Sequence, residues 1–265
     1  MPISMSRVTD FSPELPNDPK KQIAYLDRVT AIGAQGKATI YAVQEIANGS
    51  YVLDCGCGVG DDVRAISTLV GEHGSVVGID PNEVMIATAI ERGVPPNVGF
   101  LVGRAEAMPF PDAHFDAIRA ERLFQHLREP DAAARELRRV LKPHGNVLLL
   151  DQDWQSIVVA GGERETTRKI VNAFADSLAD GWAGRNQRAH LLGAGFTRVE
   201  TQQFVTSLSF AHAYAFVLQD AVAAALARAM ISGEEADAWV RGLLAADARG
   251  AFLYCVTVFL TVGRP

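Results

Sequence analysis

The sequence predicts a doubly wound α/β fold, and three observations carry that reading. Short apolar segments alternate with helical ones from residue 51 to 153, those apolar segments are continuous rather than alternating, and the first of them runs straight into a glycine-rich turn. Strands apolar on both faces belong to a parallel sheet covered by helices. Right-handed crossovers then force the doubly wound arrangement. A chain of 265 residues fits one folding unit with a modest insertion.

The elements follow in order. Residues 1–20, rich in Pro, Ser and charge, read as a lead-in. Over 23–47 the apolar positions Ile23, Leu26, Ile40, Val43 and Ile46 recur at helical intervals, and Gly33 and Gly36 divide the segment, which predicts an N-terminal helical cover. YVLDC (51–55) is a strand, 61–70 a helix, SVVGID (75–80) a strand, 82–93 a helix, VGFLVG (98–103) a strand and FDAIRA (115–120) another. PDAAARELRRVLKPHG (130–145) reads as a helix with its stop signals, and NVLLLDQD (146–153) as a buried strand. Beyond it come helices at 163–179 and 184–193, a strand at 196–204, an Ala-rich helical stretch at 211–247 and a last strand at 252–262. The stretch 211–247 exceeds what a crossover requires and reads as an insertion able to lid a site.

Composition narrows the function. Hydrophobic residues make up 48% and charged residues 21%, as in a globular protein. The apolar runs fall short of a membrane span, and the N-terminus has no secretory h-region, so the expectation is a soluble cytoplasmic protein. Three cysteines, Cys55, Cys57 and Cys255, make no disulfide framework. Neither the C-x-C pair nor the six scattered histidines form a metal cluster, so no metal is expected. A net charge of −6 disfavours nucleic acid as a partner. Arg135, Arg138, Arg139 and Lys142 read as a solvated helix face. Monomer and homodimer both remain open.

VLDCGCGVGDD (52–62) puts glycines at 56, 58 and 60 between a strand and a helix, where open α/β sheets bring ligands close to the backbone. Asp80 ends the second strand before Pro81, where an acidic side chain accepts from both hydroxyls of a ribose. A dinucleotide would place its pyrophosphate at the following helix N-terminus. Asp61 and Asp62 stand there, and their carboxylates repel a diphosphate while suiting an ammonium and a sulfonium.

Four motifs in order, VLDCGCGVGDD, VVGIDPNEVM, VGRAEAMPFPDAHFDAI and ARELRRVLKPHGNVLLLDQDW, span residues 52–154. With them the sequence resembles the class I S-adenosylmethionine-dependent methyltransferases, in the small-molecule branch that holds methyltransferase type 11 and ubiquinone-biosynthesis-like enzymes. The resemblance implies a Rossmann-like seven-stranded sheet in the order 3-2-1-4-5-7-6 with its last strand antiparallel. It also implies a methyltransferase domain over 48–265 behind the lead-in and cover of 1–47. S-adenosyl-L-methionine is the implied cofactor, with Asp54, Gly56, Cys57 and Gly58 at its methionine end, Asp80 and Pro81 at the ribose, and Arg104, Ala105 and Glu106 beside the adenine. Such enzymes often carry Asp at position 104, to accept from the adenine amino group. An arginine cannot accept, so Ala105 or Glu106 must do more, or Arg104 stacks on the ring.

AERLFQHLREP (120–130) follows the fourth strand and faces the sulfonium side. Glu121 belongs with the cofactor residues or pairs with Arg122, and Arg122 and Gln125 are candidates for binding the acceptor. His126 is either a general base or a histidine that contacts the cofactor. DQDW (151–154) is expected to leave the fifth strand on the same edge, which makes Asp153 a second base and Trp154 either a stacking surface or a core residue. The sequence therefore points to methyl transfer onto O, N or C of a small secondary-metabolite or quinone-like acceptor. An NAD-dependent oxidoreductase and a non-catalytic cofactor-binding protein are the alternatives.

Overall fold

The computed structural model describes residues 40–265 together with Ile23, Asp27 and Lys37. The lead-in at 1–20 and most of the helical cover expected over 23–47 lie outside the described residues. Seven strands, β1 (Tyr51–Cys55), β2 (Ser75–Asp80), β3 (Val98–Val102), β4 (Phe115–Glu121), β5 (Leu141–Ala160), β6 (Arg198–Ser207) and β7 (Leu253–Arg264), form one sheet. Its order is β3-β2-β1-β4-β5-β7-β6, as the resemblance implied. The pairs β2–β3, β1–β2, β1–β4 and β4–β5 are parallel. β7 runs antiparallel to β6, because Thr197 N–H donates to the Arg264 carbonyl while Leu208 N–H donates to that of Tyr254.

The chain gathers into two compact units. The larger holds the described residues up to Asp151 together with Ala183–Gln203 and Phe259–Pro265. β1 is buried as its apolar run requires, with Val52, Leu53, Asp54 and Cys55 all covered, whereas β3 at the edge keeps Leu101 and Val102 exposed. Helix α1 (Asp61–Val70) turns Val63, Ile66, Ser67 and Val70 inward at helical spacing. Its N-cap Gly60 sits at φ 78°, and a Cβ there would lie 2.5 Å from the Phe100 ring, so only glycine fits. Helix α2 (Glu83–Glu91) is capped by the Asn82 side chain, which accepts from Val84 and Met85 N–H. Helices α3 (Pro130–Val140) and α5 (Ala183–Gly193) complete this unit.

The smaller unit holds residues 152–182 and 204–258. Helix α4 (Arg164–Ala175), helix α6 (Phe210–Ala227) with a π turn at Tyr214–Leu218, and helix α7 (Gly233–Ala248) bury an apolar core of their own around Trp154, Phe174, Val217 and Trp239. The helical stretch expected at 211–247 as an insertion thus lies within this smaller unit, which also takes in residues 152–182. By length and composition α6 reaches what a membrane-crossing helix needs, with mean hydropathy 1.4, a property shared by core helices of globular proteins. It contributes Phe210, Leu218, Ala221 and Ala225 to that core.

Two boundaries differ from the sequence reading. The helix, expected to run up to its stop signals at Pro143 and Gly145, closes at Val140, since Pro143 forces the residue before it out of the helical region. Leu141 enters β5, with a bulge opposite Phe115–Ala117 where Lys142 pairs with Asp116 at 2.8 Å. β5 also continues to Ala160, well past the expected end at 153.

Candidate functional site

The strand order reverses at β1, and the crevice beyond the carboxyl ends of strands at such a point is where doubly wound sheets bind ligands. A cavity of about 380 Å3 lies there, within the larger unit. Gly56, Pro81, Arg104, Ala105, Glu106 and His126, all expected from the sequence, line it, and Cys55, Ile79, Gly103, Leu123, Leu127 and Arg128 complete the wall.

The glycine turn is tied to β2 by backbone. Gly56 and Cys57 N–H both donate to the Ile79 carbonyl, at 2.8 and 2.9 Å. Gly56 lies at φ 79°, and a Cβ on it would meet Leu123 Cδ1 at 3.1 Å. Asp80 joins the turn to the start of α2: its Oδ2 accepts from Gly58 N–H at 3.0 Å and its Oδ1 from Asn82 N–H at 2.9 Å. Burial raises the Asp80 pKa, and those two N–H groups oppose the rise. A carboxylate has roughly four acceptor positions, so each oxygen keeps capacity for a ligand hydroxyl.

Cys57, expected at the methionine end, is buried. Its thiol lies beside Gly78 in an apolar cluster that includes Val63, and it donates to the Gly58 carbonyl at 3.7 Å. Burial pushes both the Cys55 and Cys57 thiols up, which makes them poor nucleophiles. Among the described residues no group of His, Cys, Asp and Glu could hold a metal.

Beneath the turn lies a buried ion network that the sequence reading missed. Arg119, fully buried on β4, reaches Asp54 at 3.4 Å and Asp62 at 3.2 Å, and pairs with Glu121. Lys37 joins Asp62 at 2.7 Å and Glu121 at 2.6 Å, and the Tyr41 hydroxyl donates to Asp62. Burial raises the pKa of Asp62 and of Glu121, but the two cations outweigh it and hold both below the ordinary carboxylate range. Asp54 responds the other way: burial pushes it up to about 7 against the pull of Arg119. The signal for this network was legible in FDAIRA, where an arginine occupies a buried position of an apolar strand and so demands buried acids. Glu121, expected beside the cofactor, has its carboxylate engaged here. Asp61 is likewise paired, with Arg64 at 2.8 Å and Arg92 at 3.7 Å.

After β4 the chain turns sharply. Arg122 takes a left-handed conformation, φ 54°, its N–H donates to the Leu150 carbonyl at 2.7 Å, and its Nε stands 3.7 Å from Glu121. The 3₁₀ turn Phe124–His126 follows. Gln125 is buried and lies behind the cavity wall, its N–H donating to Asp151 Oδ1 at 3.4 Å. Asp151 also accepts from the Gln187 amide at 3.2 Å, and its complete burial pushes its pKa up to about 7. His126 stands exposed on the cavity wall. Crowding by the surrounding protein, and then the Arg122 charge, lower its pKa. Arg104 pairs with Glu106 at 2.8 Å, so on the wall where an Asp often stands the acceptor is the neighbouring glutamate, two residues on.

Asp153 and Trp154 do not lie in a turn at the end of β5, because the strand runs on past them. Both belong to the smaller unit. Asp153 is buried, its Oδ1 accepting from Gln155 N–H at 3.2 Å and its carbonyl from the Ser156 hydroxyl at 2.6 Å. Trp154 packs in that unit's core, edge-on to Phe174 at 5.1 Å, rather than presenting an open stacking face.

Comparison with known proteins agrees with this geometry. Residues 52–145 match the methyltransferase domain family. The chain is 28% identical, over 98% of its length and 76% of the relative's, to an uncharacterized 37.1 kDa protein in transposon TN4556 of Streptomyces fradiae. It is 42% identical, over 48% of its length and 49% of the relative's, to the ubiquinone/menaquinone biosynthesis C-methyltransferase UbiE of a Shewanella species. The chain thus spans about half the length of the quinone methyltransferases it matches. A SAM-dependent methyltransferase from Aquifex aeolicus shares the fold, with TM-score 0.54 and 22% identity over 91% of this chain and 98% of that one.

Proposed function

Starting from a class I, S-adenosylmethionine-dependent methyltransferase, a chain whose residues 52–145 match the methyltransferase domain family and whose seven strands take the order β3-β2-β1-β4-β5-β7-β6, we propose an enzyme that methylates a small-molecule acceptor. The observation that carries the reading is Asp80. It is a carboxylate with spare acceptor positions, held rigidly by Gly58 and Asn82 N–H, at the end of β2 and the switch point of the sheet. The neighbouring cavity of about 380 Å3 falls in the usual range for small-ligand sites, roughly 300–1,000 Å3.

The residues present fit the cofactor. Asp80 would hold the ribose hydroxyls, Gly56 and Gly103 would let the nucleoside approach the backbone, and Ala105 and Glu106 would meet the adenine edge. Arg104, pinned by Glu106, would cover the ring, and Ile79, Leu123 and Leu127 supply the apolar wall. When bound, S-adenosylmethionine supplies a methyl group on a sulfonium, given up by in-line displacement. The contribution of the chain is to orient and to exclude water, and the tight Gly56–Leu123 approach fixes that part of the wall. Support for a small acceptor comes from the relatives named for quinone methylation and from the net charge of −6, which does not favour a polyanion.

Isothermal titration with S-adenosylhomocysteine and with NAD tests the ligand class. Binding of the first and not the second is expected, and the reverse would overturn the reading. Transfer of radiolabelled methyl from S-adenosylmethionine to quinols, phenols and amines tests the acceptor class. Labelling of protein or RNA but of no small molecule would refute that part.

A further inference from the structure

The hydrogen bonds around His126 bear on which of its nitrogens carries a proton, and with it on what the ring can do. The Gln125 amide nitrogen lies 3.0 Å from His126 Nε2 and 3.3 Å from the Arg122 carbonyl oxygen. A carbonyl only accepts, so the Gln125 atom facing it is the NH2 group, and the opposite amide orientation would set oxygen against oxygen. The same NH2 group therefore donates to His126 Nε2, which must offer a lone pair. An imidazolium, or a ring protonated at Nε2, would oppose donor to donor.

The amide is not free to swing away. Gln125 is buried, and its backbone N–H is anchored by the fully buried Asp151, which Gln187 braces from α5. The charged groups around the ring are Arg122 on its own turn, Arg104, Glu106 and Arg128 on the cavity wall, and Asp151 beneath the turn.

We infer that Gln125 is a positioning residue that holds His126 as a neutral, Nδ1-protonated imidazole, so that His126 serves the site as a hydrogen-bond donor rather than as a general base. Its one lone pair is occupied by Gln125, and Nδ1–H is left to donate. The acceptor it suits presents an oxygen that takes a hydrogen bond, such as a phenolate, an enolate or a carbonyl beside the methylated atom. A nucleophile of that kind arrives already deprotonated or gives its proton to water, so the methyl group moves without a proton going to His126. This role rests on the methyl-transfer reading above, whereas the protonation state of the ring does not.

The test is 15N–1H spectroscopy of histidine rings in the full-length protein, recorded both without ligand and with an excess of S-adenosylhomocysteine. The His126 signals are assigned by their loss in His126→Asn. At pH 7 the expected pattern is Nδ1 protonated and Nε2 bare. Gln125→Glu replaces the donor by an acceptor and should move the proton to Nε2 and raise the pKa of the ring. Gln125→Met offers neither and should give a mixture of tautomers. A wild-type ring protonated at Nε2, or the wild-type pattern in both variants, would overturn the inference. Titration calorimetry on the same samples separates the two levels. Failure to bind S-adenosylhomocysteine with the ring state as expected defeats the methyl-transfer role alone, and normal binding with the wrong tautomer defeats the assignment to Gln125.

Discussion

Asp80 has two tasks in this structure, and Asp80→Asn separates them. The carboxylate accepts from Gly58 and Asn82 N–H, one on each oxygen, and on the proposed reading also from two ribose hydroxyls. Asparagine keeps one acceptor oxygen and turns an NH2 toward whichever backbone N–H is left. One half-buried donor then loses its partner, at a cost of about 1–2 kcal/mol. For a chain of this size that lowers the melting temperature by roughly 3–6 °C. The ligand loses more. Two charge-assisted hydrogen bonds, each worth about 1.5–3 kcal/mol, become at best one neutral bond, a net loss of about 3 kcal/mol. Affinity for S-adenosylhomocysteine should therefore fall by more than about 100-fold. Calorimetry on folded protein reads the binding, and a thermal melt without ligand reads the stability. A variant that melts lower yet binds within about threefold of the wild type would refute the reasoning, since Asp80 would then be only a clamp between the glycine turn and α2.

Four further outcomes are expected. Arg119→Met removes the guanidinium shared by Asp54, Asp62 and Glu121 and should cost about 3–5 kcal/mol in urea unfolding at pH 7, less at pH 5 where the abandoned carboxyls protonate; an unchanged midpoint would contradict the network. Gly56→Ala should cost about 1 kcal/mol for its left-handed backbone and also weaken S-adenosylhomocysteine binding in calorimetry, because the new Cβ pushes Leu123 along the cavity wall. Arg122→Gly relieves a left-handed non-glycine residue, so its melting temperature should hold or rise even though the Glu121 contact is lost; a large drop would show that the guanidinium itself stabilises the turn. Asp151, pushed up to about 7 in the fold from an unfolded value near 3.9, favours its protonated form there. Its ionisation therefore costs stability progressively as pH rises from about 4 to about 7, and Asp151→Asn should flatten the denaturation-midpoint profile over that window; an equally steep profile would place the titration elsewhere.

Much of the fold was legible because the central strands β1 and β4 and the first half of β5 are largely buried and read as apolar runs. The glycine turn and Asp80 were legible for a related reason: strand, turn, helix and the end of the next strand are close in sequence, and their chemistry is local. What escaped depended on distant partners. Arg119 is anomalous in FDAIRA, but nothing nearby says that Lys37, 82 residues earlier, shares its acids. Pro143 was legible as a stop signal, but that Leu141 and Lys142 before it leave helix α3 for β5 depends on pairing with Phe115 in the distant β4. The position of Asp153 and Trp154 could not be read from DQDW, since β5 extends through QSIVVA to Ala160 and carries both residues into another compact unit.

The same buried network changes the electrostatic reason for choosing between ligands. Read from the sequence, Asp61 and Asp62 leave an acidic turn that repels a diphosphate. In the fold, Asp62 meets Arg119 and Lys37 and Asp61 meets Arg64, so these charges are largely spent inside the protein. With Asp54 raised to about 7, the group Asp54, Asp62 and Glu121 against Arg119 and Lys37 lies between neutral and one negative charge. A compensated cluster of that kind exerts only a weak pull on a sulfonium. Asp61 and Asp62 still stand in the first turn of α1, the place where a pyrophosphate would need free N–H groups and no carboxylates. Discrimination thus comes from occupancy of the helix terminus and from the acceptors of Asp80, and the attraction expected from net charge is small. Raising the salt concentration should accordingly change S-adenosylhomocysteine affinity little, by less than about threefold between 50 and 500 mM, as exposed charges but not buried pairs are screened. A steep salt dependence in calorimetry would restore the simple acidic-turn explanation and remove this one.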